Sequence, residues 1–192
     1  MKIIDISVPI DKNLPLWPKS SGFRLTKINE NESHIEMNAH VGTHLDAPLH
    51  FIPKGLPIDK MPLSTFVGPA LVTSPAKIKD IPKGTERVLF KTSNSKLWAK
   101  NGNKFHEGYI GLTTKEAELL VKRKIKLVGI DYLSVAKFEE AKEVHKILLK
   151  SGMAILEGLN LTIVKPGKYQ LICLPVKISN IEASPTRAIL VK

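Results

Sequence analysis

A single cysteine, Cys173, excludes an internal disulfide anywhere in this 192-residue chain. It lies in Leu171-Ile172-Cys173-Leu174, an apolar run that reads as a buried strand, so an inert core thiol is expected. The scarcity of cysteine suits a reducing compartment. Aromatic residues are few, 6% of the chain, and do not interleave with the basic ones. No run approaches the roughly 18 apolar residues of a membrane span. The opening Met1-Lys2-Ile3-Ile4-Asp5 carries an acid inside a first apolar run too short for a signal peptide. A cytoplasmic protein with no membrane partner is therefore expected.

Acidic residues are also in deficit. Lys and Arg number 29 against 18 Asp and Glu, a formal net charge of +11. Such an excess raises the possibility of nucleic acid. The lysines are scattered, however, and the one tight triplet, Lys122-Arg123-Lys124, falls at a predicted helix end, where cations offset the helix dipole. No nucleic-acid partner is expected, and the surplus suits an anionic substrate instead.

The length fits one domain over 1–192, large enough for a core without disulfide staples. Alternation predicts a first strand over 2–9, with Ile4, Ile6 and Val8 on one face. A loop follows at 14–22, enforced by Pro15, Pro18 and Gly22. Two strands over 23–28 and 34–39 are joined by a polar turn, and further strands are expected over 67–73, 87–92, 126–130, 153–156, 169–176 and 188–191. Apolar periodicity predicts a helix over 113–124, capped by Thr113 or Thr114, and a second over 138–150, ended near Gly152. The fold class is α/β: a single domain with a mixed, partly barrel-like sheet and flanking helices.

The richest segment is Met37-Asn-Ala-His40-Val-Gly42-Thr-His44-Leu-Asp46-Ala-Pro48-Leu-His50-Phe51. Three of the six histidines fall within eleven residues, with an aspartate among them. Imidazole and carboxylate are the usual ligands of borderline divalent metals, and an imidazole also serves as acid or base near neutral pH. His40, Gly42, His44 and Asp46 share parity, so one extended strand would turn them to a common face. A straight strand would also hold the backbones of His40 and His44 about 13 Å apart. If both rings reach one ion, either they lean strongly inward or the chain curls between them, and Gly42 is the residue able to bend. Pro48 stiffens the exit and projects His50 separately as a candidate proton carrier. His145 lies on the apolar stripe of the second predicted helix, as a core histidine or a further ligand. Glu157 ends an apolar strand, either exposed or buried against a partner.

The run from His40 to His50 resembles the signature of the cyclase family of metal-dependent hydrolases, which includes bacterial kynurenine formamidase and isatin hydrolase. The resemblance extends to His145, to Ala154-Ile-Leu-Glu157-Gly-Leu159, and to Ser184-Pro-Thr-Arg-Ala188 near the C-terminus. It implies that His40 and His44 bind one metal, that Asp46 and Glu157 bridge two, and that His145 binds the second. His50 would be the general acid/base and Trp17 would line the substrate pocket. The implied cofactors are two divalent ions, zinc or manganese, and the implied assembly is a homodimer or larger homo-oligomer. The implied reaction is hydrolysis of a small-molecule amide by metal-activated water, with an aryl formamide such as N-formylkynurenine, an intermediate of tryptophan catabolism, as substrate. Opening of a cyclic amide is the alternative within the family. Outside it stands a basic nucleic-acid-binding protein with structural histidines. In the formamidases the loop proline is usually followed by Gly-Asp; here Pro18 is followed by Lys19-Ser20.

Overall fold

The computed structural model describes residues 1–100 and 104–192. Its strands are β1 (Ile3–Asp5), β2 (Phe23–Lys27), β3 (Ser33–Met37), β4 (His44–Asp46), β5 (Val67–Thr73), β6 (Arg87–Phe90), β7 (Leu127–Ile130), β8 (Ala154–Glu157), β9 (Gly167–Ile172), β10 (Ala183–Pro185) and β11 (Ile189–Val191). The α-helices are α1 (Leu63–Phe66), α2 (Leu97–Lys100), α3 (Thr114–Lys122) and α4 (Ala141–Lys150).

Nine strands form one mixed sheet in the order β1-β11-β9-β5-β6-β7-β8-β4-β10. The run β5-β6-β7-β8 is parallel and every other pairing is antiparallel. The sheet curls into a half-barrel. The chain just after β1 comes round to the segment just after β8, where Asn160 N–H donates to the Ile6 carbonyl at 2.8 Å. It also meets the approach to β4, where Val8 N–H donates to Thr43 Oγ1 at 2.9 Å.

Strands β6, β7 and β8 are buried at every position, as parallel strands covered on both faces must be. Their alternate residues serve two cores. Leu89, Leu127, Ala154 and Leu156 face the inside of the half-barrel. Val88, Phe90, Val128, Ile130 and Ile155 face outward, where α3 supplies Ala117 and Leu120 and α4 supplies Val144 and Leu148. This outer packing carries α4 along the sheet and brings His145 to its edge.

Most sequence-based boundaries hold to within a few residues, and the strand over 67–73 coincides with β5. Thr113 is the cap of α3: its hydroxyl accepts from Glu116 N–H, and Glu116 returns a bond to the Thr113 N–H at 2.8 Å. Three expectations need correction. The first strand is three residues long rather than eight, because residues 6–8 leave it to bond Ala188, Thr43 and Leu159; their inward alternation persists without the ladder. The helix over 138–150 starts with a 3₁₀ turn at Phe138–Glu140 and is α-helical only from Ala141. Strand β9 stops at Ile172, and Cys173 instead donates its N–H to the Phe66 carbonyl at 3.1 Å, at the end of α1. The pair β2–β3 stands apart from the main sheet as a largely exposed ribbon. No helix among the described residues is long and apolar enough to cross a membrane.

Candidate metal centre

Residues 40–43 form turns and bends, and only His44–Asp46 is extended. Gly42 takes φ +70°, the left-handed bend that the spacing of His40 and His44 called for. A Cβ there would also come within 2.8 Å of Ile10. The curl returns His40 over the strand that follows, so that its Nδ1 lies 2.9 Å from Asp46 Oδ1.

Strand register supplies the next pair. His44 in β4 stands directly opposite Glu157 in β8, and Asp46 is two residues along from His44, on the same face. His44 Nε2 lies 3.4 Å from Asp46 Oδ1 and 3.5 Å from Glu157 Oε2. The turn after Glu157 is locked against the curl before His44. Gly158 has φ +71°, and a Cβ on it would strike the Gly42 carbonyl. Thr43 Oγ1 donates to the Gly158 carbonyl at 2.6 Å. Helix α4 contributes His145, whose Nε2 lies 3.1 Å from Glu157 Oε1 and 3.7 Å from Asp46 Oδ2.

Two imidazoles are oriented from behind. His44 Nδ1–H donates to the Gly42 carbonyl at 3.0 Å and His145 Nδ1–H to the Ala141 carbonyl at 2.6 Å. Both bonds fix the ring so that Nε2 faces the carboxylates, the arrangement metal-binding histidines adopt. His40 has a carboxylate behind it: Glu182 Oε1 lies 3.4 Å from its Nε2. Glu182 was missed in the sequence because it lies far along the chain and carries no motif; strand β10, which it precedes, pairs with β4.

His40, His44 and Asp46 form one group whose ligand atoms lie within 4.8 Å of one another, and Asp46, His145 and Glu157 form a second. Asp46 is shared by both. His44 Nε2, Asp46 Oδ1 and Asp46 Oδ2 are buried with no hydrogen-bond partner among the described residues. Buried polar atoms left unpaired are costly, about 1–3 kcal/mol each, and three at one spot call for a missing group. Burial opposes charge on Asp46, yet the His40 and His44 imidazoles outweigh it and hold the carboxyl well below the usual range. Burial likewise opposes charge on His44, but the Asp46 and Glu157 carboxylates raise it to about 10. A donor set of imidazoles and carboxylates with orphaned lone pairs fits a divalent metal.

His50 ends a 3₁₀ turn begun by Pro48 and stands beside this set, its ring 4.3 Å from that of His40 and 6.0 Å from that of His145. Burial, reinforced by His40 and His145 and opposed by Asp46 and Glu157, lowers its pKa below 6.5 and favours the neutral ring. The centre forms the floor of a cleft of about 340 Å³. Trp17 lines it, held edge-on against Phe105 at 5.2 Å and packed on Phe138 at 5.3 Å. Phe51 and Leu133 are further lining residues that the sequence did not single out, since an apolar residue in a loop carries no periodic signal. All seven residues expected from the sequence therefore adjoin one cleft and its floor.

The Cyclase family model matches residues 4–137. The chain belongs to the cyclase family. A cyclase-like protein 1 of Arabidopsis thaliana is 36% identical over 217 residues, spanning all of this chain and 85% of the relative. A kynurenine formamidase of Salinibacter ruber is 35% identical over 209 residues, spanning 99% and 97%. Among solved structures, a potential metal-dependent hydrolase with cyclase activity superposes with a TM-score of 0.86 at 33% identity, over 98% of this chain and 96% of the other. Isatin hydrolase A of Labrenzia aggregata superposes with a TM-score of 0.80 at 26% identity, over 99% and 93%. This cyclase-family chain is a metal-dependent hydrolase.

Proposed function

We propose that the protein hydrolyses the amide bond of a small aryl formamide such as N-formylkynurenine, using two divalent ions, zinc or manganese. The observation that carries this reading is the convergence of His40, His44, Asp46, His145 and Glu157 on one spot at the floor of a cleft walled by Trp17 and Phe51. His40, His44 and Asp46 would hold one ion, and His145 and Glu157, with Asp46 as the shared ligand, the other. Bound there, such ions supply an electrophile for a carbonyl oxygen and lower the pKa of water.

The remaining work falls to the chain's own groups. Trp17 and Phe51 would hold the aryl ring, and the formyl group is small enough to reach the floor. His50 stands beside the ligands without being needed as one, so it is the group placed to accept a proton and hand it to the departing amine nitrogen. The kinship with a kynurenine formamidase that matches nearly end to end supports this substrate class.

A second reading, opening of a cyclic amide, is favoured by the likeness to an isatin hydrolase, since the same residues serve either carbonyl. The deciding experiment incubates purified protein, supplemented with zinc or manganese, with N-formylkynurenine and with isatin, following deformylation and ring opening by absorbance. Turnover of the formamide by at least tenfold over isatin is expected; the reverse ratio would establish the second reading, and no turnover of either would overturn both. We further propose that the protein is cytoplasmic and assembles as a homodimer or larger homo-oligomer.

A further inference from the structure

We propose that the mouth of the cleft is a carboxylate-binding subsite built around Lys19, and that the substrate carries an anionic group remote from its scissile bond. The inference rests on the hydrolase reading of the same cleft. Ser20 N–H donates to the Trp17 carbonyl at 3.0 Å, closing a tight turn over Trp17-Pro18-Lys19-Ser20. Lys19, third in that turn, has φ +69°. Turns with proline second and a left-handed third residue ordinarily take glycine there, because a Cβ is crowded. Lys54 and Lys124 share that conformation elsewhere on the chain, so it is placement in the cleft that distinguishes Lys19.

Lys19, Ser20 and Asn38 line the same cleft as His50 and Glu157. Exposure grades along it: Lys19 is exposed, Trp17 and Phe51 are half-buried, and His44 and Glu157 are buried. The lysine is therefore at the mouth, the aromatic walls lie below it, and the candidate metal ligands form the floor.

The mouth is also rich in donors. Lys19 makes no ion pair among the described residues. Asn38 Oδ1 is engaged by the His40 N–H at 2.9 Å, which leaves its amide N–H groups to donate. Ser20 Oγ accepts from Gly22 N–H at 3.4 Å, which leaves its proton to donate. Glu157, on the floor with Asp46, is the one carboxylate among the described residues that line the cleft directly. An ammonium, an amide and a hydroxyl without a competing acid match a carboxylate.

The test compares formanilide with its para-carboxylate counterpart, 4-formamidobenzoate, as substrates of the metal-supplemented enzyme. Wild type is expected to favour the carboxylate in kcat/KM by about tenfold, the effect of one well-placed charge pair. Lys19→Met keeps the stem and the backbone demand and should bring the ratio close to one, while Lys19→Arg should preserve it. Hydrolysis of both amides with no preference, unchanged by Lys19→Met, would overturn the subsite and leave the hydrolase reading standing. Hydrolysis of neither would overturn the hydrolase reading. In that event calorimetric titration with 3-phenylpropionate decides the subsite: binding about tenfold weaker in Lys19→Met sustains it, and equal binding removes it.

Discussion

Asp46 is the residue on which the site turns. It is fully buried, shared by both candidate ligand groups, and bears two oxygens without hydrogen-bond partners among the described residues. Asp46→Asn keeps the shape and removes the charge. The purified variant is expected to lose at least one equivalent of metal by elemental analysis, and unchanged content would contradict a bridging role. His50→Ala should behave oppositely: metal content retained, with kcat lowered about 10²- to 10⁴-fold, as loss of a positioned proton carrier does. Full activity in that variant would remove His50 from the reaction. Cys173, buried beside Phe66, has its thiol pushed up to about 12 by burial. Its folded-state pKa is raised, so the thiol stays protonated between pH 7 and 9; no alkylation by iodoacetamide is expected over that range until the protein unfolds, and fast labelling of folded protein would refute its burial. Its burial was legible in the sequence, because an isolated cysteine in an apolar run has few other fates. The partners of Asp46 across the centre came only from the family resemblance, because residue type alone does not state which carboxylate and which imidazole will face each other.

At the scale of elements, the site depends on how tightly two strands approach. The turn at Gly158 passes so close to the Gly42 carbonyl that no Cβ fits, and both glycines sit at positive φ. Gly158→Ala should cost at least about 2 kcal/mol, combining left-handed strain with a backbone clash, and should lower metal affinity as β8 shifts from β4. Urea denaturation and metal titration check both effects; a loss of stability with unchanged affinity would separate Gly158 from the site. The helices were the most legible elements. Apolar periodicity and a threonine at 113 or 114 marked α3, the structure choosing Thr113 with Glu116 as its capping box, and the apolar stripe of α4 places His145 inward. The short strands β4 and β10 were the least legible. They are three residues each, too short to show alternation, and exist because each pairs with a distant partner.

For the whole molecule, the candidate ligands come from the turn before β4, from β4 itself, from α4 and from β8, so one bound centre would tie together segments more than a hundred residues apart. Metal at about a hundred times its Kd is expected to add about 2.7 kcal/mol, which raises the unfolding midpoint by roughly 5–10 °C for a chain of this size. Thermal scans with and without a chelator measure it, and identical midpoints would contradict metal binding by the folded state. The exposed β2–β3 ribbon, with Leu25 and Ile35 paired across it and facing solvent, is an isolated hairpin of a kind seldom stable alone. Sedimentation is expected to show a dimer that covers it, and a monomer throughout the micromolar range would remove that expectation.

The sequence by itself determined the ligand types, the parity of His44 and Asp46, the need for a bend at Gly42 and the inward alternation of Ile4, Ile6 and Val8. These are local properties: side-chain chemistry, backbone freedom and a two-residue period act within a few positions. Only the tertiary structure decided that His44 faces Glu157 across a strand pair, that α4 brings His145 to them, that Glu182 stands behind His40 and that Lys19 lies at the mouth of the cleft. Each of those depends on strand register and on how a curled sheet closes. Burial of apolar surface over the whole chain sets them, and no short window of residues contains that information.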